Sequence, residues 1–214
     1  MNSKTKKIVL ISMFSAIALL LVTVFRIPVV LFLKYEPKDV IITVGGFILG
    51  PLASFFISLV VSLIEMVTIS DTGIIGCIMN IISSCAFACT AAAFYKAKRT
   101  MNGAVMGLTV ASVFTVIVML LWNYFITPIY MGYPREAIAE LLIPAFLPFN
   151  AIKVILNSTI TLILYKPLVT ALRKAKLIPE SQGDPNSKKV PYILVALISL
   201  AIIICCAFLI SILN

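Results

Sequence analysis

The stretch PFNAIKVILNSTITLILYKPL, residues 148–168, is long and apolar enough for a membrane-crossing helix, yet it carries Asn150, Lys153, Asn157 and Thr161. A spanning helix needs roughly 17 to 25 largely apolar residues. The four polar residues follow one another at spacings of three, four and four, which puts them on one helical stripe. In hydrocarbon such a stripe must face protein or water, and an ionisable group there is by default the mark of a functional site. The other reading is a lysine snorkelling to the headgroups beside asparagines that pin helix contacts. Both readings make the chain an all-α membrane protein.

Working outward, comparable apolar runs occupy residues 8–25, 52–69, 74–95, 103–126 and 192–213, with a shorter one at 40–49. Charged residues are only 12% and apolar residues 62% of the 214, far from the ~25% charged of soluble domains. Gly50-Pro51 divides the second run from the third, because proline cannot continue the helical ladder and glycine suits a helix end. The run at 8–25 follows Lys4, Lys6 and Lys7 and leads into Arg26-Ile27-Pro28 without a small-x-small cleavage pattern, so it is expected to stay as the first helix. Glu180 to Lys189 is a polar, Gly- and Pro-containing run that reads as a linker. The expected organisation is a six-helix body over 1–175, a cytoplasmic linker over 176–190 and an additional transmembrane helix over 191–214.

The net charge of +9 would suggest nucleic acid in a soluble protein, but here the basic residues cluster at the ends of apolar runs. No nucleic-acid partner is expected; the lipid bilayer is. With the N-terminus in the cytoplasm, 12 of the 17 basic residues fall inside, leaving Arg26, Lys34, Lys38, Arg135 and Lys153 outside, as the positive-inside rule requires. Six of the eight acids, Glu36, Asp39, Glu65, Asp71, Glu136 and Glu140, then lie at the outer face. Polar chemistry gathers there.

Several functions lack candidates. There is no histidine, the five cysteines sit inside apolar runs without metal spacing, and no Gly-x-x-x-x-Gly-Lys-Ser/Thr sequence occurs, so neither a metal site, a histidine-based triad nor ATP binding by this chain is expected. An intramembrane enzyme would need paired acids or a base beside a nucleophile. The acids in or next to spans, Asp39, Glu65 and Asp71, are scattered at helix ends. A purely structural scaffold would not need the polar stripe.

Other constellations carry two readings each. Ser54, Ser58 and Ser62 recur every fourth residue, which suits close helix approach, and Glu65 continues their face. Glu65 is placed to pair with Lys153 or Arg135, or to accept a hydrogen bond from a ligand. Two long outer loops, 26–39 and 127–147, are expected to anchor at the interface or to close over a ligand. Tyr35, Tyr124, Tyr130 and Tyr133 suit either belt anchoring or stacking on a flat ring. Ser12 and Ala16, beside Ser15 and Ala18, form a small-residue face on the first helix that reads as an association surface.

With these residues in view, the chain resembles the substrate-binding S components of energy-coupling-factor vitamin transporters, most closely the riboflavin-specific members. The matching stretches are Lys34-Tyr35-Glu36-Pro37-Lys38-Asp39, residues 45–53, Asn123-Tyr124-Phe125-Ile126-Thr127-Pro128 with Tyr130-Met131, and Pro148-Phe149-Asn150-Ala151-Ile152-Lys153. The resemblance implies a six-helix S-component bundle with an outer pocket capped by the loop after the first helix. It implies riboflavin as transported ligand, not cofactor, and a transmembrane coupling protein with two cytoplasmic ATPases as partners. It places flavin contacts on Asn123, Asn150 and Lys153, and a pocket-lining region over Tyr35, Asp39, Ile41 and Thr43. The family's Ala-x-x-x-Ala coupling motif is matched as Ser12-x-x-x-Ala16. The same architecture with another vitamin is the alternative within the class, and the helix at 192–213 departs from the pattern.

Overall fold

The computed structural model describes residues 3–30, 33–70, 72–175 and 192–213. The expected linker, Asp71 and the 31–32 step of the outer loop lie outside the described residues. Helix α1 spans Ser3–Val24, and strands β1, Ile27–Val30, and β2, Leu33–Tyr35, form an antiparallel hairpin after it. Helices α2, Lys38–Leu49, and α3, Pro51–Thr68, are separated by Gly50 alone. Helix α4, Gly73–Ser84, runs through a π-helical turn, Cys85–Cys89, into α5, Thr90–Lys98. Then come α6, Met101–Phe125, and the short α7, Thr127–Met131. Helix α8, Arg135–Leu141, runs through a second π-helical turn, Leu142–Phe146, into α9, Leu147–Lys174, and α10 covers Tyr192–Leu213.

Five helical stretches among the described residues have the length and apolarity to cross a membrane: Lys4–Val24, Pro51–Thr68, Gly73–Lys98, Met101–Phe125 and Arg135–Leu172. They stand within a residue or a few of the expected runs, except that α9 starts earlier in a longer helical stretch and continues past Pro167. Helix α2 is different. Its 12 residues rise about 18 Å, well short of the ~30 Å hydrocarbon thickness. It is buried from Lys38 to Phe47 and packs against α1, α3, α5 and α9. Being surrounded by protein, it needs no amphipathic pattern, which explains its nearly continuous apolar sequence.

Close approach to α2 depends on small residues. A Cβ on Gly46 would lie 2.0 Å from Ser54 Oγ and 2.9 Å from Ala92 Cβ, so only glycine fits where α3 and α5 press on α2. Ser54, Ser58 and Ser62 are all buried, and Ser54 Oγ donates to the Ile42 carbonyl at 3.2 Å. The serine row therefore packs helices, as its spacing suggested. At the turn, Gly50 adopts φ +98°, and Pro51 opens α3 where a missing N–H costs nothing.

Both outer segments are more ordered than loops. The 26–39 segment folds as the β1–β2 hairpin and the start of α2. Residues 127–147 are mostly helical: Pro128 sits in the first turn of α7, Gly132 ends it in the left-handed region at φ +69°, and α8 leads straight into α9. The Pro, Gly and Tyr punctuation of this segment marks helix ends within a folded cap.

Gly46→Ala should destabilise the protein by about 1 to 3 kcal/mol, the usual cost of overpacking a tight core, and Ser54→Gly in the same chain should restore part of the loss. Thermal unfolding in detergent followed by tryptophan fluorescence checks both; a Gly46→Ala protein as stable as the parent would show that α2 and α3 are not in close contact there.

Candidate functional site

Because α2 is short, space remains beyond its N-terminus at the end of the bundle where the hairpin and α7 lie, and a cavity fills it. Counted with its open mouth, it encloses about 940 Å³. Helix α9 contributes Phe149, Asn150 and Lys153, α6 contributes Met119 and Asn123, and α4 contributes Met79, Asn80 and Ser83. Glu65 of α3 and Thr127 and Tyr130 of α7 complete the deeper wall, while Arg26, Leu33, Lys34 and Glu36 line the side formed by the hairpin.

Charges around this cavity are paired into two groups. In the first, Lys38 Nζ contacts Glu36 at 3.0 Å and hydrogen-bonds Glu65, while Arg26 Nε donates to Glu36 at 2.8 Å and a second Arg26 nitrogen lies 4.0 Å from Glu65. Arg26 also donates to the Ile69 carbonyl at 3.2 Å, tying the hairpin's base to the end of α3. Lys38 is only 1% exposed, and a buried charge is tolerable only when it is paired and hydrogen-bonded. Burial alone would push the Glu36 carboxyl up, but Lys38 and Arg26 outweigh it and hold the group below its ordinary value.

The second group centres on Asp39, also 1% exposed. It meets Lys153 Nζ at 3.3 Å, and it accepts from the Ser84 hydroxyl and from Asn157 Nδ2 at 3.4 Å. Asn157 Oδ1 in turn accepts from the Tyr35 hydroxyl at 3.0 Å. Burial, and then the Asp39 charge, raise the Tyr35 pKa, so the phenol stays protonated and remains a donor. Lys153 donates a further hydrogen bond to Ser83 at 3.3 Å.

The cavity's two carboxamides are also oriented by their neighbours. Asn123 Oδ1 accepts from the Thr127 hydroxyl at 3.0 Å, which leaves its NH2 to donate. Asn150 Nδ2 donates to the Phe146 carbonyl at 2.8 Å, which leaves its oxygen to accept. That carbonyl belongs to the π-helical turn ahead of α9, where i→i+5 pairing replaces the regular helical ladder.

Asn123, Asn150, Lys153 and Glu65 thus line one cavity. Tyr35 and Asp39 stand behind the wall and hold Lys153 through hydrogen bonds. Ile41 belongs to the apolar core around Phe14, and Thr43 turns its hydroxyl back to the Asp39 carbonyl. Tyr124 is not part of the cavity lining and stacks edge-on with Phe125 at 5.0 Å, with Arg135 6.0 Å from its ring centre. Tyr130 lines the cavity and Tyr133 is exposed. Glu65 pairs with Lys38 and Arg26 instead of Lys153 or Arg135, because α2 begins directly beside the end of α3. Sequence reading treated Lys38 and Arg26 as outer topology charges and passed over Ser83 and Ser84; the Glu36-x-Lys38-Asp39 spacing was the available signal for the first of these. Ser12 and Ala16 are exposed on α1, while Ser15 and Ala18 point into the bundle.

A helical membrane bundle with a polar, charge-balanced cavity at one end has the form of a small-molecule binding subunit. A family model described as the substrate-specific component of ECF transporters matches residues 6–165, and the chain belongs to that family. It is 32% identical over 180 residues to the riboflavin transporter RibU of Staphylococcus aureus (strain TCH60), covering 80% of this chain and 94% of that protein. A solved structure described as the S component of a bacterial ECF transporter superposes with a TM-score of 0.70 at 31% identity, over 80% of this chain and 99% of that one.

Lys38→Met should leave Glu65 without its close partner while Glu36 keeps Arg26, and cost about 3 to 5 kcal/mol of stability, as for other broken buried pairs. Lys38→Met with Glu65→Leu should cost less. Unfolding midpoints of the two variants compared with the parent test this, and equal losses would mean that the Lys38–Glu65 pair is not the partnership that matters.

Proposed function

We propose that the chain captures riboflavin on the outer face of the cell membrane for import driven by ATPase partners. The observation that carries this is the polar set of the cavity: an amide donor on Asn123, a carbonyl acceptor on Asn150 and an ammonium donor on Lys153. The pyrimidine edge of isoalloxazine carries two acceptors flanking one donor, the complement of this set of two donors and one acceptor. Met79, Met119, Tyr130 and Phe149 supply apolar wall for the rest of the ring.

Charge accounting favours a neutral ligand. Arg26, Lys38 and Lys153 are matched by Glu36, Glu65 and Asp39, so only Lys34 at the exposed rim remains without an ion-pair partner among the cavity's described charges. Riboflavin is neutral, and Lys153 serves it as a donor without needing an anion. The kinship with a riboflavin transporter supports the same substrate. The N-terminus lies in the cytoplasm by the distribution of basic residues. ATP hydrolysis falls to two cytoplasmic ATPases joined through a transmembrane coupling protein, which meets the exposed Ser12 and Ala16 face of α1.

Asn123→Ala and Asn150→Ala should each weaken riboflavin binding by about 1 to 3 kcal/mol, the cost of leaving a buried polar partner unpaired. Flavin fluorescence quenching with purified protein measures it; parent-like affinity in both would remove flavin recognition from this cavity. Ser12→Trp and Ala16→Trp should leave that affinity unchanged while abolishing co-purification with the coupling protein and ATP-dependent uptake. Normal uptake by both would move the interface elsewhere.

A further inference from the structure

The family match stops at residue 165, yet α10 packs on α9 and on β1. We propose that α10 braces the β1–β2 hairpin beside the cavity, with Cys206 as the positioning residue, and thereby slows release of the bound ligand. The proposal rests on the reading of the cavity as a riboflavin site.

Three observations lead there. A two-stranded hairpin is marginal by itself in the absence of further packing, and this one has strands of four and three residues with an irregular register between Pro28 and Val30. Something must hold it. Val29 and Tyr35 from the hairpin form one buried cluster with Phe149, Ile152 and Leu156 of α9 and with Cys206, and Ile202, Ile203 and Ile210 pack against it. In an otherwise uniformly apolar helix, Ser199, Ile202, Ile203, Cys206 and Ile210 are the buried or half-buried positions among the described side chains, whereas Ile198, Leu200, Ile204 and Phe208 are exposed. The spacing is that of one helical stripe.

The brace reaches the ligand site by two routes. Strand β2 carries Leu33 and Lys34, which line the cavity, immediately before Tyr35. Tyr35 itself shares the buried cluster with Cys206 and donates to Asn157, which donates to Asp39, the partner of Lys153. Cys206 is 4% exposed, so a larger side chain there must push α10 from the hairpin or displace Tyr35. Loosening the wall of an otherwise preserved site acts mainly on the rate of escape.

Full-length Cys206→Trp should release riboflavin about tenfold faster in stopped-flow displacement, with the association rate within about twofold of the parent. Cys206→Val, close in size, should restore the parental off-rate, and Ile204→Trp on the exposed face should not change it. Hydrogen exchange of the Ile27–Tyr35 amides, measured without ligand, should quicken in Cys206→Trp alone. A parental off-rate and parental exchange in Cys206→Trp would overturn the brace, as would equal acceleration by Ile204→Trp. If the parent itself does not bind riboflavin, the substrate reading fails, and hydrogen exchange still decides whether α10 holds the hairpin.

Discussion

An unpaired charge inside a bilayer-embedded bundle costs several kcal/mol, and the arrangement of this protein around its cavity follows from meeting that cost at Lys38, Asp39, Glu65 and Lys153. The four come from three helices: Lys38 and Asp39 open α2, Glu65 comes from α3 and Lys153 from α9. Pairing Lys38 with Glu65 and Asp39 with Lys153 therefore ties α2 to both neighbours at the level where it begins. Neither pair need be more stabilising than an apolar packing of the same volume. What the pairs supply is position, since each charge has one place where its partner waits.

That position explains the short helix. Had α2 continued outward by another turn or two, its backbone would occupy the cavity. Beginning at Lys38 leaves the hairpin to cross the opening, and Arg26 closes the hairpin's base by reaching both Glu36 and the Ile69 carbonyl. The glycine at 46 and the serine at 54 solve the opposite problem at the other end, where α2 must lie against α3 and α5 without room for a Cβ. One helix thus sets both the tight end and the open end of the bundle.

Apolar length and proline-glycine punctuation made the main helices legible in the sequence, since a bilayer demands long uninterrupted hydrocarbon and little else. The stripe of Asn150, Lys153 and Asn157 was legible for the same reason: polar groups are rare enough in such a helix that their spacing carries meaning. Which residues face the ligand was harder to read. Tyr35, Asp39 and Thr43 belong to the expected pocket region, but the side of α2 that meets α9 could be assigned only once Asp39 was seen against Lys153 and Asn157. The outer segment 127–147 misled because Pro128, Gly132 and Pro134 bound short helices as readily as loops. In α10 the uniform hydrophobicity hides the packing face altogether; Cys206 and Ile204 differ little in polarity, and only burial separates them.

The ligand groups of the cavity are oriented before any ligand arrives. Thr127 fixes which end of the Asn123 amide donates, the Phe146 carbonyl does the same for Asn150, and Asp39 and Ser83 hold Lys153. An amide that already has its internal partner loses little rotational freedom when it binds, so more of each new hydrogen bond appears as affinity. The cost falls on the opposite wall. That wall is the hairpin, held at its base by Arg26 and along its strands by Val29 and Tyr35. On the proposed riboflavin reading, recognition falls to α6 and α9, and entry and exit to the hairpin with the helices that pack on it.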